Sequence, residues 1–154
     1  MRAEILNLNL KDVVAARIVI KAAPEKIFSY LADPRAHTLF DGSSTIQGRI
    51  SGPDRLFLGA RFGMAMKIRV PYRITNEVVA FKEDHLITWR HLMKWTWSYE
   101  LIDLGDGTTQ VTETFDASVC NKAQLWWVYK TDSLARNPKW MAKSLVKLKA
   151  LCEA

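Results

Sequence analysis

Apolar and polar positions alternate along much of this chain, and the alternation fixes its elements before any composition is counted. Val14, Ala16, Ile18 and Ile20 share one face while Arg17 and Lys21 take the other, which predicts a half-buried strand. Pro24 suits a first helical position, where its missing N–H costs nothing, and Glu25 complements the positive end of the helix dipole. Ile27, Phe28 and Leu31 give that helix its apolar face, and Asp33-Pro34 stops it. Six strands are then predicted, over residues 44–50, 60–70, 72–82, 85–92, 95–104 and 108–118. Turn signals at Ser51-Gly52-Pro53-Asp54, Pro71, Glu83-Asp84 and Gly105-Asp106-Gly107 separate them. Consecutive strands with short connections imply an antiparallel meander.

Within the meander the inward positions can be named. Phe62, Met64, Met66, Ile68 and Val70 alternate with Arg61, Gly63, Ala65, Lys67 and Arg69, so the first set faces the interior. The two methionines are pliable walls, suited to filling core gaps or to a pocket that adapts to its contents. Trp95, Trp97, Tyr99 and Leu101 share a face. If the Gly105-Asp106-Gly107 loop closes Leu104 onto Thr108, Leu101 stands opposite Val111, Tyr99 opposite Glu113 and Trp97 opposite Phe115. Ile87, Trp89 and His91 extend the same face if the connection through Met93 keeps parity.

Glu113 is the anomaly, because it occupies a position between Val111 and Phe115 where an apolar residue is expected. A buried carboxylate is costly unless it is paired or hydrogen-bonded, and Tyr99 is the nearest candidate partner. Facing a ligand, such a group could act as an acid or base. A one-residue bulge would instead turn it to solvent, and a purely structural hydrogen bond is the third reading.

The C-terminal part predicts one long helix, with Asn137 as N-cap, Pro138 in the first turn, and Trp140, Met141, Leu145, Leu148, Leu151 and Cys152 as an apolar stripe. Ser144 falls within that stripe as its one small polar group. Adjacent Trp126 and Trp127 cannot both be buried on one narrow helix face, so one covers either a cavity mouth or a partner surface.

Taken together, Ile20, the Ala23-Pro24-Glu25 helix start, Ile27, Phe28, the Leu31 to Pro34 run and Phe40 resemble the START-like (SRPBCC) superfamily, in its polyketide cyclase/dehydrase branch. The resemblance implies an α+β helix-grip fold. In it a strand and two short helices precede a curved antiparallel sheet, and a long C-terminal helix crosses the sheet with a cavity between. It also implies one domain over 1–154, with 1–11 as a flexible lead-in.

Size and charge are compatible with this. A chain of 154 residues can bury a core without staples. Cys120 and Cys152 lack CxxC spacing, and His37, His85 and His91 lack carboxylate spacing, so no metal and no cofactor is expected. His91 reads as a rim residue, His37 as an exposed residue near the cavity entrance, and His85, beside Glu83 and Asp84, as a turn residue without a functional role. No run reaches membrane-spanning length and no signal peptide is evident, which makes the cytoplasm the expected location and excludes stable membrane insertion. The net charge of +6 is concentrated in residues 121–154, where seven Lys/Arg face two acids for a balance of +5. Lys139, Lys143 and Lys147 nevertheless repeat at the spacing of a solvated helix edge, and no nucleic-acid motif accompanies them.

The expected function is binding of a small hydrophobic molecule, aromatic, polyketide-like or lipid-like. The expected lining is Met64, Met66, Trp89, His91, Trp97, Tyr99, Glu113, Phe115, Trp140 and Ser144. The resemblance implies an alternative, a cyclase/dehydrase-type enzyme, for which Glu113, Tyr99 and His91 are the catalytic candidates. A further alternative is a protein- or membrane-interaction module using the basic C-terminal helix. Monomer and homodimer are both compatible with the sequence.

Overall fold

The computed structural model describes residues 2–43, 46–68 and 70–154, and the backbone alone for 46–49, 66–68 and 71. Its centre is one eight-stranded antiparallel sheet. The strands are β1 (Glu4–Leu6), β2 (Val13–Ile20), β3 (Ile46–Ser51), β4 (Arg61–Ile68), β5 (Val70–Lys82), β6 (Leu86–His91), β7 (Thr96–Asp103) and β8 (Thr109–Asp116), in the spatial order β1-β2-β8-β7-β6-β5-β4-β3. The predicted meander is therefore β3 to β8, each strand beside its sequence neighbour. β2 closes its far side by pairing with β8, and Glu4–Leu6 adds an edge strand tied by an Arg17–Glu4 ion pair at 2.8 Å.

Between β2 and β3 lie α1 (Pro24–Leu31), a short 3-10 turn (Pro34–Ala36) and α2 (His37–Phe40). Pro24 starts α1 as expected, and Pro24, Ile27, Phe28 and Leu31 are buried. Asp33 caps the 3-10 turn by accepting from the Arg35 N–H at 3.0 Å. After β8 come α3 (Lys122–Lys130) and α4 (Ser133–Glu153). This is the helix-grip arrangement, a curved sheet with a long C-terminal helix across it.

α4 begins a turn earlier than predicted. Asn137-Pro138 looks like a helix start in sequence, yet Asn137 is buried and Pro138 lies inside the helix. The break that separates α4 from α3 is Asp132, held at φ 57°, with the Thr131 and Ser133 hydroxyls 2.8 Å apart around it. A proline in the second turn forfeits the one N–H bond that would run to Leu134.

Met141, Leu145, Leu148 and Cys152 are buried beneath α4, which packs chiefly on β2 with further contacts to β8, α1 and α2. Burial of each large side chain contributes roughly 1.5–3 kcal/mol. The helix end is pinned by polar bonds: Lys149 Nζ donates to the Val19 carbonyl at 2.9 Å, and the Lys21 N–H donates to Glu153 at 2.6 Å. The first turns of α4 instead stand toward the β5 side of the sheet, where Arg136 and Tyr72 interact. That asymmetry positions the site.

Candidate functional site

The register places two rows on the inner face. Ile87 pairs with Tyr99 and Tyr99 with Glu113, which itself faces Ala16 of β2. In the next row Trp89 pairs with Trp97, Trp97 with Phe115, and Phe115 with Val14. A bulge between Val78 and Ala80 corrects the register on β5, so Val78 joins the second row opposite Trp89. No bulge disturbs β8, where every second side chain from Thr109 to Phe115 is buried, and Glu113 is turned inward.

Glu113 is 4% exposed and Tyr99 3% exposed. Burial pushes the Glu113 carboxyl up to about 8, hydrogen bonding from the Tyr99 phenol pulls it back, and the nearby Asp41 charge raises it further. Burial, with the Glu113 charge next, holds the Tyr99 phenol well above its usual range. At neutral pH the pair is therefore a neutral acid beside a neutral phenol. One oxygen of the acid, Oε2, is fully buried and has no hydrogen-bond partner. A lone buried polar atom of this kind costs about 1–3 kcal/mol, so its presence calls for an explanation.

Around this pair the interior is sealed by aromatic rings. Phe40 meets Tyr99 edge-on at 6.4 Å, and Trp89 lies 5.7 Å from both Tyr99 and Phe62. His37, expected at the surface, is instead 4% exposed and stacks on Trp89 at 5.0 Å. The 3-10 turn after Asp33-Pro34 rotates it inward, and its Nε2–H donates to the Leu31 carbonyl at 2.9 Å, which makes burial tolerable. Burial lowers its pKa against the opposing influence of that bond, Asp33 and Asp41. His85 lies in its turn and is exposed.

Toward the start of α4 the inner face opens. Trp95, Trp97, Ile74, Arg136 and Trp140 are only half-buried, and Tyr72 is exposed. Trp97 leans on Phe115 at 4.9 Å, and His91 stacks on Trp95 at 4.4 Å. His91 Nδ1 accepts the Met93 N–H at 3.0 Å, and desolvation lowers its pKa to about 4. Its neutral ring thus closes a turn at the strand end.

The expected lining divides accordingly. Tyr99, Glu113, Phe115, Trp89 and Met64 are buried on the inner face, and Trp97, Trp140 and His91 border the open zone. The Met66 side chain lies outside the described residues. Ser144 is buried but occupied: its hydroxyl accepts the Gly42 N–H at 2.8 Å and ties the segment after α2 to α4. Gly42 is required there, since a Cβ would lie 2.2 Å from the Trp140 carbonyl. Trp126 and Trp127 are both exposed, with Lys130 4.8 Å over the Trp126 ring.

Two residues escaped the sequence reading. Tyr72 is on the inner face of β5, opposite Met66, and its phenol is raised by burial and lowered by Arg136. Arg136 lies 4.3 Å over the Trp140 ring, its pKa lowered mainly by burial. The i,i+4 spacing of Arg136 and Trp140 was the available signal, hidden by placing the helix start after Arg136.

Two described surface grooves include neither Tyr99 nor Glu113, one along Arg2, Glu4, Arg17 and Gln110 and the other along Arg61, Glu77, Arg90, His91 and Lys94. Both are open and bordered by several charged side chains, unlike a mostly apolar binding site. Among the described residues no group of three or more His, Cys, Asp or Glu could hold a metal ion, and no helix is long and apolar enough to cross a membrane.

Comparison with known proteins adds three findings. A family model described as polyketide cyclase / dehydrase and lipid transport matches residues 11–153. The uncharacterized protein Rv0088 of Mycobacterium tuberculosis is 39% identical over 104 residues, which is 67% of this chain and 46% of the relative. The match therefore spans about half the length of that relative. Among solved structures, protein Ms6760 from Mycobacterium smegmatis superimposes with a TM-score of 0.68 at 17% identity, covering 98% of this chain and 97% of that one. A protein from Arthrobacter aurescens gives 0.72 at 9% identity, covering 97% and 91%. At these identities the structures speak for the fold alone.

Proposed function

The chain belongs to the polyketide cyclase/dehydrase and lipid transport family, and from that premise we propose that it binds a small, largely apolar molecule between the sheet and the first turns of α4. The observation that carries this reading is the polar centre of an otherwise apolar face. Glu113 is buried with one oxygen unpartnered, beside a row of aromatic side chains that becomes half-open at Trp97 and Trp140. Apolar walls with few polar groups are the usual composition of a small-molecule site. The driving force is desolvation of the ligand against flat aromatic surfaces, with Glu113 and Tyr99 orienting one polar atom.

Titration with flavonoids, fatty acids and sterols, followed by tryptophan quenching, tests the proposal. Saturable quenching by at least one class, diminished by Trp97→Phe, is the expected result. Absence of saturable binding across the panel removes the reading.

One observation favours catalysis as a second reading. A carboxyl whose pKa is about 8 is poised to exchange a proton near neutral pH, the property required of a general acid or base acting on an enolizable, polyketide-like substrate. Turnover abolished by Glu113→Gln, with the fold intact, would support this reading. Undiminished turnover in that variant would eliminate Glu113 as the proton carrier.

A further inference from the structure

Arg136 is a half-buried guanidinium with no ion pair among the described residues. Four other arginines pair with acids: Arg17 with Glu4, Arg35 with Asp54, Arg55 with Glu83 and Arg90 with Glu77. Arg136 has no such pair among the described residues, and the residues outside the description include no Asp or Glu that could supply one. Asp132 acts on it only at a distance. Its Nη2 reaches the Ser133 hydroxyl at 3.3 Å, and its Nε is fully buried with no hydrogen-bond partner.

The location makes this arrangement informative. Trp140, one turn on, has its ring centre 4.3 Å from the guanidinium carbon, and Tyr72 of β5 is near enough to act on the charge. The charge is thus held at the half-open end of the inner face. A long, flexible side chain on the first turns of a helix has free access to water. Holding it against an aromatic with an orphaned N–H carries a desolvation cost that a solvated rotamer would not.

Arg136 Nε and Glu113 Oε2 are the two buried side-chain atoms left without partners among the described residues. An arginine Nε–H can only donate, so at that atom a ligand must bring an acceptor. Oε2 belongs to a carboxyl that can carry its proton on either oxygen, and it is open to one polar atom of the ligand.

We propose that the bound molecule is an apolar acid, whose carboxylate docks on Arg136 beside Tyr72 and whose body lies along Trp97 and Trp140 toward Glu113. This rests on the binding reading above and assigns the chemical class of its ligand. A guanidinium presents parallel N–H groups that match a carboxylate, and the match is stronger in a partly desolvated setting.

The test uses matched pairs: a long-chain fatty acid and an aromatic carboxylic acid, each against its own methyl ester. Binding is followed by tryptophan quenching at pH 7.5 in the wild-type protein, Arg136→Met and Arg136→Lys. Circular dichroism and thermal melting check each fold. The wild-type protein is expected to bind at least one acid ~10-fold or more tightly than its ester, a difference of the order expected for a charge-assisted pair. Arg136→Met is expected to bind acid and ester alike, and Arg136→Lys to retain part of the preference. Equal binding of acid and ester by the wild-type protein overturns the docking of an anion while leaving the binding reading in place. A preference that survives in Arg136→Met overturns it as well. If neither member of any pair binds while another class of the panel does, the docking of an apolar acid is overturned and the binding reading stands; if the whole panel fails, the binding reading falls and this inference with it.

Discussion

Tyr99 and Glu113 stand directly opposite each other on β7 and β8, both almost wholly removed from water, with the carboxyl pushed up to about 8. The cause is mainly burial, which the phenol only partly offsets. An inward acid on an inner-face strand position is thus neutral at physiological pH and able to donate.

That pair makes stability depend on pH. The folded pKa of Glu113 lies above its ordinary value of 4.5, so the folded state holds the proton more tightly than the unfolded chain. The stabilising contribution is complete below about pH 4.5 and is lost as pH rises toward and through about 8. The expected loss across this window is on the order of 5 kcal/mol. Urea unfolding at several pH values should show this decline in the wild-type protein and a much flatter profile in Glu113→Gln. Equal slopes would mean that Glu113 is ionised in the folded protein.

Removal of His37 should unseat the aromatic cluster. It stacks on Trp89, contacts Phe40 and Phe62 edge-on, and bonds to the Leu31 carbonyl. His37→Ala is expected to cost about 2–4 kcal/mol in denaturant unfolding, the range for deleting a large buried side chain. Because burial lowers its pKa, the neutral ring stabilises the fold above about pH 6.5 and that contribution is lost on acidification. A near-neutral effect of the substitution would place the ring outside the core.

The same residue shows where the sequence was legible and where it was not. Alternation placed Tyr99, Glu113 and Phe115 correctly, because strand periodicity is exact and the Gly105-Asp106-Gly107 loop set the pairing. The long helix was legible from its apolar stripe. His37 was not, since a 3-10 turn has no periodicity to read and its orientation follows from packing on Trp89. Ser144 was legible as inward-facing, yet its bond to Gly42 joins residues 102 apart in sequence and leaves no local signal. Arg136 was missed because Asn137-Pro138 imitates a helix start and assigned it to the preceding loop.

Gly42 and Ser144 offer a paired test of that long-range tie. Ser144→Ala removes the acceptor of one buried N–H and should cost about 1–3 kcal/mol. Gly42→Ala should cost more, because its methyl would meet the backbone of α4 at Trp140 and Ser144 and neither can yield without moving the helix. Thermal melts of the two variants rank them. A Gly42→Ala protein as stable as wild type would show that the segment after α2 does not press on α4.

His91 should titrate far from its ordinary value. Its ring is stacked on Trp95 and partly desolvated, with its pKa lowered to about 4. Proton NMR of the ring should place the midpoint near 4, and a midpoint close to 6.5 would mean that the ring is solvated rather than partly buried at the strand end.

The most direct test of the central claim is an NMR map of the complex with a ligand identified in the quenching panel. The account predicts one-to-one saturation, with the largest shifts at Trp97, Tyr99, Glu113, Phe115 and Trp140 and small ones at the exposed Trp126 and Trp127. Shifts confined to Trp126 and Trp127, with the inner face of the sheet unchanged, would contradict it.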